Sequence, residues 1–196
     1  MTASDLLTAL EPVVRALEGL GIRYFLGGSV ASSSHGVPRT SIDADVIAEL
    51  RREHLTAFLE RLRGAYYVAE DRARAAVDAR RSFNLIHLAT MFKIDLFVAK
   101  GRPFDRQALE RARPGVLDDR PGAPAFQVAS AEDTVLAKLE WFRAGGEASD
   151  RQWGDVVGML RAGRATLDHD HLERWAPALG VEDLLGRARA EAEAPA

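Results

Sequence analysis

The 196-residue chain contains no cysteine. This excludes disulfides, thiolate zinc sites and a cysteine nucleophile, and it fits a reducing compartment. No uninterrupted apolar run approaches the roughly 20 residues that span a bilayer. The N-terminal MTASDLLTALEPVV carries acids and lacks a basic segment followed by an apolar one, so it does not read as a signal peptide. Neither sign of charge dominates. The net charge is −3 and the pI about 6.0, so no bulk positive field drives non-specific binding to nucleic acid. A local basic groove stays open. The expectation is a soluble cytoplasmic protein with no membrane attachment.

What is present suits a globular chain: 47% hydrophobic and 28% charged residues. Residues 4–19 have apolar residues at helical spacing, and IRYFLGG is a short β-rich run ending at paired glycines. A short helix is expected from Ser29, broken by Gly36 and Pro38. IDADVIA at 42–48 alternates as a strand, followed by a helix at 51–63, a strand candidate at 66–69 and a charged helix at 71–81. FNLIHL (83–88) and MFKIDLFV (91–98) read as a hairpin across Ala89-Thr90. A helix at 104–112 precedes RPGVLDDRPGAPA (113–125), which reads as a connection, and FQV reads as a last short strand. From Ser130 the pattern is helical only, with capping signals at Ser130/Asp133 and Ser149/Gln152 and further helices near 168–178 and 181–193. The expected architecture is an α+β core over 1–128 and a C-terminal helical subdomain over 129–196.

The chemistry concentrates in GGSVASSSHGVPRTSIDAD, residues 27–45. Asp43 and Asp45 lie two apart on a strand, so their side chains share one face. Two such carboxylates repel unless a cation stands between them, and Mg²⁺ favours carboxylate and phosphate oxygens. Alone, the pair also reads as two solvated acids at a strand end. Gly27-Gly28-Ser29 sits where strand meets helix. Glycine lets backbone approach a ligand closely, and Ser29 can hydrogen-bond a phosphate or simply cap the helix. Asp95 lies mid-strand in MFKIDLFV, with Met91, Lys93 and Phe97 on its face. Burying it unpaired is costly, so it must meet a cation, a hydrogen-bond network or a metal. Lys93 is one such partner. A hairpin strand beside the DxD strand would instead bring Asp95 to Asp43 and Asp45.

GGS, a spacer, DxD and a third strand aspartate, in that order, resemble the nucleotidyltransferase superfamily with its DNA polymerase β-like fold. With FKIDLFV, LAKLEWFR and RQWGDV, the chain is similar over about residues 22–160 to bacterial stand-alone members of the AbiEii type. The spacer from Ser29 to Asp43 is longer than in the minimal antibiotic-modifying members, which argues against close kinship with them. The resemblance implies a polymerase β-like core, a mixed sheet flanked by helices, followed by a helical bundle. It implies two-metal transfer of NMP from an NTP, with Mg²⁺ or Mn²⁺ held by Asp43, Asp45 and Asp95 and the triphosphate by Gly27, Gly28 and Ser29. Arg39 and Thr40 would lie near the triphosphate, with Arg39 equally able to lock the loop to a carboxylate. Lys138, Arg151 and Asp155 would face the nucleotide. For Lys138 a solvated side chain, and for Arg151 and Asp155 a helix-surface pair, are the plain alternatives. The acceptor would be an RNA end such as that of tRNA, a protein hydroxyl or a small molecule, and an antitoxin protein is an expected partner. The rival is a catalytically inactive module of the same fold that binds a protein or RNA.

His35, at the end of the short helix, reads as a helix-end residue. His169 and His171, two apart at a helix start, read as surface residues, and the arginines of 72–81 as a solvated helix face. Trp141, Trp153 and Trp175 read as bundle core.

Overall fold

A computed structural model describes residues 3–37, 43–118 and 123–194. Its elements run α1 (Ala3–Glu18), β1 (Tyr24–Leu26), α2 (Gly28–Ser34), β2 (Asp43–Ala48), α3 (Arg52–Leu62), β3 (Tyr66–Tyr67), α4 (Glu70–Ala79), β4 (Ser82–His87), β5 (Lys93–Val98), α5 (Pro103–Arg111), β6 (Arg113–Val116) and β7 (Ala125–Val128). Helices α6 (Ala131–Ala144), α7 (Asp150–Ala162), α8 (His169–Leu179) and α9 (Glu182–Glu193) follow. The chain divides into two compact units, Met1–Val30 with Thr40–Val128 and Ala31–Arg39 with Ala129–Ala196. Among the described residues no helix is long and apolar enough to cross a membrane.

The first unit holds a seven-stranded mixed sheet in the order β3-β4-β5-β2-β1-β7-β6. Strands β2 and β5 are parallel, as are β1 and β7, and the other neighbours are antiparallel. In β2 and β5 every second residue is buried: Ala44, Val46 and Ala48, and Ile94, Leu96 and Val98. This apolar face joins Leu10, Leu17, Leu55 and Phe58 of α1 and α3 in one core. The alternate face is half open and carries Asp43, Asp45, Lys93 and Asp95. One strand pair thus serves both the core and the site, because strand side chains alternate.

Two connections differ from the sequence expectation. The β4–β5 link is longer than two residues. Leu88 to Phe92 form a loop in which Met91 takes a left-handed backbone (φ 55), and the Thr90 hydroxyl accepts from the Phe92 N–H at 3.3 Å while lying 2.9 Å from His87 Nδ1. The segment starting at Arg113 is not all connection, since Arg113–Val116 pairs antiparallel with β7. Pro114 removes a donor, which an edge strand tolerates, and β6 is the edge.

Tyr24 and Tyr66 tie helix α1 and the residues after it to the sheet. The Tyr66 hydroxyl donates to the Ala9 carbonyl, and the Tyr24 hydroxyl donates to Glu18 Oε1 (3.0 Å) and accepts from the Gln127 N–H (3.3 Å). Burial raises the pKa of both phenols; at Tyr24 the Gln127 N–H opposes this and Glu18 adds to it. The fold therefore favours the neutral phenols. Their contribution is complete below the ordinary value of 10.0 and is lost as pH rises above it. We expect stability to fall in alkali, with the 295 nm ionisation of both residues coinciding with unfolding. Ionisation of all three tyrosines in a still-folded protein would contradict this.

In the second unit, Ser130 and Ser149 cap α6 and α7, accepting from the N–H groups of Asp133 (3.1 Å) and Gln152 (3.3 Å). His35 lies 2.7 Å from the Ala129 carbonyl through Nε2. Two sequence expectations, and the plain alternative for Lys138, are corrected here. His171 is buried, not on the surface, with Nε2 2.7 Å from Asp133 Oδ1; the Asp133 carboxylate also accepts from the Ser130 hydroxyl (2.9 Å). Trp141 is 55% exposed rather than core. Lys138 is buried instead of solvated, and its ammonium is 2.8 Å from Asp155 Oδ2.

Candidate active site

The register of the parallel pair β2 and β5 sets the arrangement: Asp43 lies opposite Lys93, Ala44 opposite Ile94 and Asp45 opposite Asp95. Directly opposed residues point to the same side, so Asp43, Asp45 and Asp95 share the half-open face. On the other flank of β5, Asn84 of β4 lies opposite Asp95. Asn84 was missed in the sequence; only the hairpin register, not the residue type, could have singled it out.

Lys93 stands among these acids. Its ammonium is 2.8 Å from Asp95 Oδ2 and 3.7 Å from Asp43 Oδ2. The hydrogen bond to Asp95, then the charges of Asp95, Asp43 and Asp45, raise the lysine pKa against an opposing desolvation. This pairing stabilises a grouping that would otherwise repel itself. Asp95 keeps only 17% of its side chain exposed, so the ammonium gives it the cation that burial demands.

The glycine turn is fitted to Asp45. The Gly27 N–H donates to the Asp45 carbonyl at 3.0 Å, extending the β1–β2 ladder. Gly28 opens α2 with φ +54, and a Cβ there would fall 1.7 Å from Asp45 Oδ2. The glycine is thus required twice, for its left-handed backbone and for the space that the carboxylate fills. Ser29 follows and is buried.

Oxygen donors on one face suit a hard dication such as Mg²⁺. Among the described residues, however, no three His, Cys, Asp or Glu side chains stand together as a ready ligand set for one ion. Lys93 already engages Asp95, so an ion bound by all three acids requires that ammonium to leave. Arg39 and Thr40 lie outside the described residues. Lys138 and Asp155 pair with each other in the second unit, and Arg151 is exposed on α7.

No protein-family profile matches the chain, and no curated protein does. Among solved structures it is similar to the antibiotic-resistance factor ANT(2'')-Ia, studied in solution, at 15% identity, TM-score 0.58, covering 96% of this chain and 98% of that one. It is also similar to an antigenic nucleotidyltransferase-like protein from Paracoccidioides brasiliensis at 14% identity, TM-score 0.55, covering 97% and 94%. The lincosamide antibiotic adenylyltransferase LnuA, in its lincomycin-bound crystal structure, matches at 15% identity with a TM-score of 0.46, covering 81% and 96%. The chain has the nucleotidyltransferase fold, an α+β core with a mixed sheet followed by a helical C-terminal part.

Proposed function

We propose that the chain is a divalent-metal-dependent nucleotidyltransferase that moves NMP from an NTP to an acceptor hydroxyl. One observation carries the reading: Asp45 and Asp95 oppose each other on β2 and β5, with Asp43 two residues away on the same face. In this reading Asp43, Asp45 and Asp95 hold the metal, which would supply charge stabilisation to the attacking and leaving oxygens. Gly27, Gly28 and Ser29 seat the triphosphate, with Arg39 and Thr40 beside it. The acceptor oxygen bonds the α-phosphorus and the bond from that phosphorus to pyrophosphate breaks. Asp95 takes the acceptor proton. A nucleotide-facing role for Lys138, Arg151 and Asp155 belongs to the same proposal, beside the structural pairing of Lys138 with Asp155. So does work in the cytoplasm on an RNA end, a protein hydroxyl or a small molecule, as an AbiEii-type toxin with an antitoxin partner.

The test is calorimetry with each NTP in Mg²⁺ or Mn²⁺, followed by incubation of labelled NTPs with total RNA and cell lysate. We expect saturable nucleotide binding and transfer of label, with Asp43→Ala reducing transfer by about 100-fold or more. Failure of the wild type to bind any NTP, or full transfer by Asp43→Ala, overturns the proposal.

The Lys93–Asp95 ion pair favours a second reading, in which the lysine is the permanent counter-charge of a non-catalytic module. The two readings part at Lys93→Met. If the acids serve a metal, removing the competing ammonium tightens Mn²⁺ binding, read by electron paramagnetic resonance, by about tenfold. If Lys93 is permanent, the variant loses stability and gains no Mn²⁺ affinity.

A further inference from the structure

An open cleft of about 430 Å³ lies in the first unit, at the C-terminal ends of the parallel strands β2 and β5. The carboxylates sit toward the other end of these strands, with Asp45 and Glu49 about 13 Å apart along the chain. Arg51, Arg52, Arg80 and Arg106 line the cleft, against two carboxylates, Glu49 and Asp78. Both acids are already engaged, Glu49 by Arg23 at 2.8 Å and Asp78 by Arg52 at 3.6 Å. The lining therefore holds more guanidinium charge than its own acids neutralise.

Two of these arginines are seated by the backbone. Arg80 ends α4 in a left-handed conformation (φ 49), and its guanidinium donates to the Lys100 carbonyl. Arg106 donates to the carbonyl of the next residue, Gly101. Gly101 has φ +75, and a Cβ there would lie 2.4 Å from Arg80 Nη1, so the absent side chain makes room for the guanidinium. Among the described residues neither Arg80 nor Arg106 meets a carboxylate. A guanidinium has five donors, so each retains donors for a ligand. Arg51 is the N-cap of α3 and Arg52 its first residue, where the helix dipole also favours an anion; the Arg51 guanidinium lies 3.8 Å from Glu53 on the exposed side.

We infer that this cleft binds a small anion carrying at least two phosphoryl groups, separately from the carboxylate site. Guanidinium forks match phosphate oxygens in pairs, which two or more phosphoryl groups would satisfy together. Among the described residues the lining has no aromatic side chain, so it offers no stacking surface for bases. The chain's net negative charge also disfavours a long polyanion.

The test is calorimetry of the full chain with inorganic pyrophosphate, without divalent metal, at about 0.1 M salt. We expect one saturable site. Arg106→Gln, and Arg80→Asn, which tolerates the left-handed cap, should each weaken it by about tenfold or more. Asp45→Asn should leave it intact, which separates this site from the proposed catalytic one. If either arginine variant lowers the melting temperature, Arg51→Ser with Arg52→Gln, both on exposed side chains, should give the same weakening. Absence of saturable binding overturns the inference. So does equal competition by sulfate, loss in Asp45→Asn but not in the arginine variants, or tighter arginine-dependent binding of a short RNA.

Discussion

Replacing Asp155 by alanine is expected to destabilise the protein by about 3–5 kcal/mol, measured by urea unfolding. The Lys138 ammonium is buried and its hydrogen bond at 2.8 Å goes to Asp155 Oδ2. Alanine leaves that ammonium without its carboxylate in a largely buried site, the costly case for a buried ion pair. The double variant Lys138→Met with Asp155→Leu removes both charges and replaces them with apolar volume, so it is expected to recover most of the loss. The pair also separates structure from function. A double variant that folds but no longer binds NTP supports the nucleotide-facing role. One that folds and binds NTP as well as the wild type assigns Lys138 and Asp155 to the fold alone. An Asp155→Ala variant as stable as the wild type would contradict the buried pairing itself.

Much of the scaffold was legible in the sequence because strand and helix periods are strong local signals. DADVIA and KIDLFV each show one apolar face and one that carries the charges, and the structure keeps those faces. The hairpin that carries Asp95 was also legible, yet its register against β2 was not. A slip of two residues keeps the same faces, so alternation cannot choose between Asp45 opposite Asp95 and its neighbours. The buried ionic contacts were illegible for another reason. Lys138 and Asp155 are 17 residues apart and Asp133 and His171 are 38 apart, and a charged residue in a helix pattern reads as solvent-facing until its partner is known. Pro114 and Gly115 read as a connection because both disfavour strands, whereas the sheet edge tolerates them. The arginine cleft leaves no sequence signature, since its residues come from separate elements. The DxD acids and the glycines before them were found by motif, but the reason for Gly28 was not. Backbone access to a phosphate was the sequence reading, and the structure adds the carboxylate of Asp45 as the group that occupies the space.

That contact makes Gly28→Ala the most informative single change at the site. Two costs fall on it. A left-handed backbone at a residue bearing Cβ costs about 1–2 kcal/mol. The new methyl would lie 1.7 Å from Asp45 Oδ2, so the carboxylate must move, and overpacking of this kind costs about 1–3 kcal/mol. We therefore expect Gly28→Ala to lose about 2–5 kcal/mol by urea unfolding, and surviving folded protein to bind Mn²⁺ more weakly because Asp45 is displaced from the face it shares with Asp43 and Asp95. In an Asp45→Ala background the carboxylate is gone and the new methyl meets only the remaining Cβ, at 3.2 Å. Gly28→Ala should there cost little beyond the backbone strain, giving a coupling of about 1–3 kcal/mol between the two positions. Equal costs in both backgrounds would place the whole effect in the backbone and remove the carboxylate from the explanation. A large coupling with unchanged Mn²⁺ affinity would keep the packing argument and count against Asp45 as a metal ligand, so the cycle tests the fold and the proposed chemistry by separate readouts.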